Sequence, residues 1–513
     1  MTTPTANPKP GAEINNLMTG AEYCDSLRDA RQVYIYGERV KDVTTHPAFR
    51  NAARSIMRLY DTLHDPAQRD LLTTVDDYGI RTHKFFAPSK SAQELLEARD
   101  AIAAWARLSY GFMGRTPEYK AAFMASLGAN PEFYAPFGEH ALNWYKKFAS
   151  RGLFLNHVLV NPPVDRKKPI HEVADVFVHI VKEQDDGIIV SGAKMLATGS
   201  AITHATFVAQ NSSANLERDK AEDFALVFIA DMDTKGAKLL CRDSYEAKAI
   251  SPFDHPLSSR FDENDAVLLF DHAFIPWENV LVYRDVEKAN AFYRASGFFS
   301  RYNLQSGTRL GVKLDFMSGL FAKGIAANGT DDFRGVQVAL GEVIGWRNLI
   351  WALTTTLCVD PQPGPGNSVI PKTEHAATLR LFSHECWTEI HRLFKTYLGG
   401  SPLVVPSSYK DLLNEDLAPL IEKYYRGSDS TAEQRVKLFK LIWDAIGTEF
   451  GARHELYERN YSGNNEQIRL DVLNFARVKG HLDGFKSLAD QCMSEYDLHG
   501  WTTPPWTWEP KER

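Results

Sequence analysis

Apolar positions change their spacing twice along this chain. Up to about residue 150 they recur three and four apart. Phe49, Ile56, Leu59, Tyr60 and Leu63 share one helical face, and Leu95, Ile102 and Trp105 form a second stripe. Ser91, with Glu94 three residues on, has the form of a capping box that opens the second helix. From about 155 to 285 the runs shorten and fill with β-branched and aromatic residues: VADVFVHIV (173–181), GIIVSGAK (187–194), THATFVAQ (203–210), FALVFIADM (224–232) and AVLLFDHAFI (266–275). Asp186-Gly187 and Lys235-Gly236 punctuate them as turns. Strands at this spacing, without helices between them, predict an antiparallel barrel or sandwich and not a doubly wound sheet. From about 290 helical spacing returns in KLDFMSGLFAKGIA (313–326), VQVALGEVIGWRNLIWALTTTL (336–357) and the long run 432–460. CVDPQPGPGNSVIPK (358–372) reads as a Pro/Gly-rich surface loop.

The order is therefore helical, then β, then helical: an α+β chain, mostly α. It divides into an N-terminal helical domain (18–154), a β-barrel or sandwich domain (155–287) and a C-terminal helical bundle domain (288–513). Residues 1–17 are polar and Pro-rich, lack the apolar core of a secretory signal, and read as a disordered leader. With 513 residues, 44% hydrophobic and 24% charged, the chain is long enough to build a large shared core. Fifty-eight basic against 65 acidic residues give a net charge of −7 without a run of either sign, which argues against nucleic acid or an anionic membrane as the main partner. No stretch of 18 apolar residues predicts a transmembrane helix. Cys24, Cys241, Cys358, Cys386 and Cys492 lie far apart with no CxxC pair, which suggests free thiols in a reducing cytoplasm and no zinc or iron–sulfur cage.

The common catalytic signatures are absent. No G-x-G-x-x-G follows a predicted strand, no GxxxxGK[ST] occurs, and no G-x-S-x-G elbow is present. HELYE (454–458) starts like a zincin helix but lacks the second His four residues on, so it reads as a capped, charged helix face. If the chain is an enzyme, a cofactor supplies the hard chemistry.

Five segments carry a resemblance: YIYGERVKDVTTHPAFRNA (34–52), RLSYGFMGRTPEYKAAF (107–123), NHVLVNPPVDR (156–166), SPFDHPLSSRFDENDAVL (251–268) with IPWENVLVYRD (275–285), and LIWDAIGTEFGARHELYERNYSG (441–463). Together with SEYDLHGW (494–501) they closely resemble the large component of bacterial 4-hydroxyphenylacetate 3-hydroxylases, over nearly the whole chain from Met18 to Trp501. The resemblance implies an acyl-CoA dehydrogenase-like fold ending in a four-helix bundle, assembled as a homotetramer. It also implies a reaction. A separate NAD(P)H:flavin reductase delivers reduced FAD, the flavin and O2 form a C4a-hydroperoxide, and its distal oxygen attacks the carbon ortho to a phenol hydroxyl. Such an electrophilic substitution wants an electron-rich, phenolate-like ring and a dry site.

By the same resemblance, Arg115, Tyr119 and His157 surround the phenol oxygen. Arg115 supplies a fixed charge, and Tyr119 and His157 hydrogen-bond the oxygen and take or pass its proton. Each also has a purely structural use: Arg115 as a helix-start ion pair, His157 as a satisfied core group. Thr198, in ATGS, matches a flavin contact, although Thr-Gly-Ser equally suits a strand-end turn. Asn161, Pro163 and Arg166 lie on a loop that passes the flavin in relatives, and some chlorophenol-type relatives carry Gln at the position of Pro163. Tyr461, Ser462, Gly463 and Asn464 resemble a turn that approaches the cofactor, or an ordinary helix end. Ser212 and Ser213 match a loop that holds the substrate's carboxylate, but the continuation NLERDKAED (215–223) departs from the family in length and charge.

Rival readings are weaker. An acyl-CoA dehydrogenase needs a Glu base and a CoA channel. A dehydratase relative needs a Cys-x-x-x-Cys pair where Arg115 and Tyr119 stand. Chloro- and nitrophenol hydroxylases place a His early in the C-terminal domain, where this chain reads FSRYNLQ (299–305). That favours 4-hydroxyphenylacetate, p-coumarate or phenol as substrate. A non-enzymatic helical scaffold is separated from all of these by a reduced-flavin binding assay, since a fold by itself fixes no function.

Overall fold

The structure, a computed structural model, describes residues 13–165, 167–210, 216–461 and 463–509. The N-terminal region holds four principal helices: α1 (Arg50–Thr62), α2 (Ala92–Leu108), α3 (Pro117–Ala129) and α4 (Gly138–Arg151). Ser91 caps α2 by accepting the Glu94 N–H at 3.2 Å. The Glu94 carboxylate takes the N–H of Lys90 at 2.8 Å, one residue before the cap, so the box is not closed in the usual reciprocal way. α3 is buried from Pro117 through Leu127, including Glu118 and Lys120, because it is wedged between α4, the β-region and the C-terminal helices. Its sequence mixes charged and apolar residues at a spacing that hides this burial.

Ordered structure begins earlier than composition indicates. Residues 13–17 fall in the expected leader, yet Ile14 pairs with Ile80, its N–H bonds Gly79 O at 2.9 Å, and Leu17 is buried. Backbone pairing at Ile14, the Glu13–Arg81 ion pair and the buried Leu17 dock this stretch on the helical region. Residues 1–12 lie outside the described residues.

The β-region forms two sheets. β1 (Val33–Ile35), β2 (Leu155–Val158), β3 (His179–Gln184), β4 (Gly187–Lys194), β5 (Ala205–Val208), β6 (Leu226–Asp231), β7 (Ala237–Cys241), β8 (Ala266–Pro276) and β9 (Val280–Tyr283) are its strands. The larger sheet runs Glu38–Arg39, β1, β7, β8, β4, β3, and the smaller runs β9, β6, β5, β2. Most pairings are antiparallel, as the spacing predicts, but β1–β7 and β2–β5 are parallel. β1 comes from the N-terminal region and joins the sheet from outside, which local spacing cannot reveal. VADVFVHIV becomes strand only from His179; Val173 ends a 3-10 turn (Ile170–Val173) and Phe177 makes an isolated bridge to Ala193.

Long helices complete the chain: α5 (Phe298–Ala327), α6 (Arg334–Val359), α7 (Thr373–Leu398), α8 (Ala432–Ile446), α9 (Glu449–Asn460), α10 (Asn465–Val478) and α11 (His481–Ser494). α5, α6 and α7 pack side by side, and the consecutive pair α8 and α9 takes the fourth place. The run 432–460 is thus two helices. Gly447 ends the first and Thr448 caps the second by accepting the Gly451 N–H. The segment 358–372 contains a small antiparallel pair (361–363 with 369–371), and the Val369 N–H bonds Ser89 O at 2.8 Å. One apolar core runs through helices, sheets and bundle. Among the described residues no helix is long and apolar enough to cross a membrane.

Candidate active site

A cavity of about 490 Å³ opens where the three regions meet. The segment leading into α3 supplies Arg115, and the first turn of α3 supplies Tyr119. β2 and its exit supply His157, Leu159 and Val160, and the stretch after β4 supplies Met195, Leu196 and Thr198. The opposite wall comes from helices: Phe298 and Tyr302 one turn apart on α5, and Arg453, Tyr457 and Tyr461 at successive four-residue steps along α9 and its end.

Arg115 precedes Pro117, the first residue of α3, and its N–H is accepted by the Glu263 carboxylate. Its guanidinium lies over Tyr119 at 4.3 Å and Tyr461 at 4.5 Å from the ring centroids. Burial opposes its charge, but the oxygens of Tyr119, Tyr457, Tyr461 and Glu263 hold its pKa above the ordinary value. Tyr119 is 2% exposed and stacks on the His157 ring at 5.6 Å. Burial raises its pKa against the pull of Arg115, so it keeps its proton at neutral pH. Burial, then Lys120, then Arg115, push the His157 pKa well below its usual value, so the ring is neutral. The three residues expected around a phenol oxygen therefore converge as one fixed cation and two neutral hydrogen-bonding groups.

Thr198 lines the same cavity, and its hydroxyl donates to Asp265. Asp265 is also held by Arg453 and Arg242, each at 3.0 Å, and these two cations depress its pKa although burial works the other way. Gly463 adopts φ +116° between α9 and α10, a conformation that favours glycine. Asn464 caps α10 by accepting the Gln467 N–H at 2.7 Å. Tyr461, Gly463 and Asn464 all line the cavity. Asn161 and Pro163 lie on the loop after β2 and are not among its lining residues. Arg166, Ser212, Ser213 and Ser462 lie outside the described residues.

HELYE is not a charged helix face. His454 and Glu458 are buried, and Glu458 pairs with Arg309 and with Lys313 (2.9 Å) from α5. α9 packs one side against α7 and α8, and His454 and Glu458 lie on that side, so the Glu458 charge meets its partners inside. Glu458 occupies the position where a zincin would need its second His.

Several lining residues were not singled out from sequence, among them Tyr293, Phe298, Tyr302, Arg380, Arg453 and Tyr457. The four-residue spacing of Arg453, Tyr457 and Tyr461 is the signal that could have found three positions at once.

Comparison with known proteins fits this geometry. Models of the 4-hydroxyphenylacetate 3-hydroxylase N-terminal and C-terminal regions match residues 19–282 and 289–490. The chain belongs to the 4-hydroxyphenylacetate 3-hydroxylase family. A pyoverdin chromophore biosynthetic protein of Pseudomonas aeruginosa is 58% identical, covering 96% of this chain and 98% of that one. A 4-hydroxyphenylacetate 3-monooxygenase oxygenase component of the same organism is 50% identical, covering 96% of each. A solved oxygenase component complexed with FAD and 4-hydroxyphenylacetate superposes with a TM-score of 0.87 at 30% identity, covering 93% of this chain and 99% of that one. The family's acyl-CoA dehydrogenase-like fold is the one described above.

A flavin suits what the cavity offers. An isoalloxazine ring needs apolar walls with a few polar groups at its edge. Leu159, Met195, Leu196 and Leu456 provide walls, and Thr198, Asn464 and Gln467 provide polar edges. Among the described residues Arg115 Nη1 and Tyr457 Oη are buried without a hydrogen-bond partner, which leaves them to a bound group.

Proposed function

We propose that this chain is the oxygenase component of a two-component, FADH2-dependent monooxygenase that ortho-hydroxylates a 4-substituted phenol to a catechol with O2, with 4-hydroxyphenylacetate the first candidate. Support comes from the convergence of Arg115, Tyr119 and His157 on one end of a cavity whose remainder suits a flavin. Relatives named as oxygenase components, one solved with FAD and 4-hydroxyphenylacetate, support it further.

Bound reduced flavin supplies the activated oxygen. The chain's own residues prepare the ring. Arg115 keeps its charge at any working pH and favours the phenolate, the form in which the ring is most electron-rich. Tyr119 and His157 bond the phenolic oxygen and fix which ortho carbon faces the flavin. Phe298, Tyr302 and Tyr293 wall that end with aromatic surface and keep water from it. The Asp265 carboxylate is committed to Arg242 and Arg453, and Glu263 to Arg453 and the Arg115 backbone. Neither is then free to repel a phenolate.

The oxygenase role implies a separate NAD(P)H:flavin reductase as the source of reduced flavin. We place the chain in the cytoplasm, as a homotetramer, supported by five free cysteines and by apolar residues left exposed near its C-terminal end. The 58% identity to a chromophore biosynthetic protein favours a second reading, the same chemistry on a 4-substituted phenol of a biosynthetic route.

The test is a reconstituted assay with a flavin reductase, NADH, FAD and O2, measuring catechol from 4-hydroxyphenylacetate, p-coumarate and phenol. Catechol that depends on reduced FAD is the expected result. No product from any phenol, with reduced flavin bound, would overturn the substrate class.

A further inference from the structure

Lys120 follows Tyr119 directly on α3, is 1% exposed, and has no part in the reaction as described. A buried lysine ordinarily sits against a carboxylate. This one does not: among the described residues its hydrogen bond goes to His157 alone, with Nζ 2.6 Å from Nδ1. Its other close neighbour is the face of the Tyr119 ring, 4.3 Å from the centroid, which suits a cation or its N–H bonds. Glu263 acts on it only through space. With Nδ1 occupied, Nε2 is the ring nitrogen of His157 left to the cavity.

We propose that Lys120 is a positioning residue that sets the tautomer of His157: it donates to Nδ1, the ring carries its proton on Nε2, and His157 meets the substrate's phenolic oxygen as a hydrogen-bond donor. This deepens the functional reading above and rests on it for the place of the phenol. Burial and the nearby Arg115 push the Lys120 pKa well below its ordinary value, but the amine keeps N–H donors even when neutral, and its Nζ lies 2.6 Å from Nδ1, placed to donate there. The consequence is chemical. Arg115 can only donate, Tyr119 holds its proton, and His157 presents N–H, so three donors meet one oxygen. A phenolate can accept all three, whereas a neutral phenol must place its own proton on a hydroxyl such as that of Tyr119 and so loses one of the three donors. Of the groups around this cluster, Arg115 disfavours and Glu263 favours charge on Lys120, and Glu118, raised to about 7 by burial, accepts from Thr116 and Gln305; Tyr302 from α5, Tyr457 from α9 and Tyr461 at its end complete the surroundings. Arg115 and Lys120 both disfavour a second proton on His157, so the ring is a poor base where it stands.

The probe is 4-nitrophenol, coloured as its phenolate, titrated with pH on the full chain with reduced FAD under anaerobic conditions. The wild type should bind it with its pKa below that of the free phenol. Lys120→Met should raise the bound pKa by about one unit, a tenfold weaker ionisation, as expected for loss of one hydrogen bond to a charged oxygen. Lys120→Arg, which keeps a donor, should return it toward the wild-type value. An unchanged or lowered pKa in Lys120→Met would overturn the proposal. Should that variant fail to fold, ¹⁵N spectra of histidine-labelled wild type, with His157→Gln for assignment, decide the matter alone. A proton on Nε2 supports the proposal, and a proton on Nδ1 refutes it. Neither readout depends on turnover, so failure of the wild type to make catechol would remove the functional reading and leave the tautomer result standing.

Discussion

At the scale of single residues, Arg115 carries the heaviest demand. Its guanidinium forms no ion pair among the described residues and spends its charge on three tyrosine rings and the cavity. Arg115→Ala should lower kcat/KM for hydroxylation by about 10²- to 10³-fold, the usual cost of losing one preorganised group at a developing anion. Thermal unfolding should hardly change, since the substitution also removes a desolvated charge. Arg115→Lys, with a charge but no planar fork, should fall between. Turnover undiminished in Arg115→Ala would remove the residue from the mechanism. Arg115, Tyr119, His157 and Tyr461 could be picked out of the sequence because family segments quoted them in order, and Thr198 because ATGS matched a flavin contact. Lys120 was not. TPEYKAAF reads as an ordinary helix start, and nothing in its pattern says that the lysine points inward. Burial of a charge is a property of what packs around it, and residues 37 and 143 positions away (His157, Glu263) decide it here.

Among the elements, α9 shows why a correct helix can still be misjudged. Its apolar and charged residues alternate without a clean stripe, so local spacing predicts an exposed face for Glu458. In the fold, α5 brings Arg309 and Lys313 to meet that carboxylate in the core. Burial alone would raise the Glu458 pKa, but Arg309 and Lys313 hold it down to about 2. A carboxyl whose folded pKa is depressed stabilises the fold above its unfolded pKa of 4.5, and that stabilisation fades as pH falls toward 2. Glu458→Gln leaves two buried cations without their anion and should cost about 3–5 kcal/mol in urea unfolding at pH 7. The gap to wild type should narrow steadily as the pH drops below 4.5. A constant gap across that window would show that the ion pair is not what the variant loses.

At the level of the whole molecule, the sequence yields the order of helical, β and helical regions but not the place where they meet. That place is the cavity, and each of its walls comes from a different region of the chain. Periodicity reports one element at a time, so neither the parallel docking of β1 on β7 nor the approach of α9 to α3 could be read from it. The same limit applies outward. α11 has no buried residue, and with the strand pair that follows it exposes Phe485 (64%), Leu488 (69%), Leu498 (96%) and Trp501 (47%). Apolar side chains clustered this densely at one end of a chain are costly to leave in water and are expected where another subunit covers them. If the chain assembles as the proposed homotetramer through this end, light scattering should give the mass of four chains for the wild type. Placing charges in the patch by Phe485→Glu with Leu488→Glu should reduce it to dimers or monomers, because burying two unpaired carboxylates at each interface opposes association. The cavity lies apart from α11 in the chain's own packing, so reduced flavin should still bind the smaller species. A variant that stays tetrameric would exclude this surface from the interface, and one that also loses flavin would show that assembly completes the site.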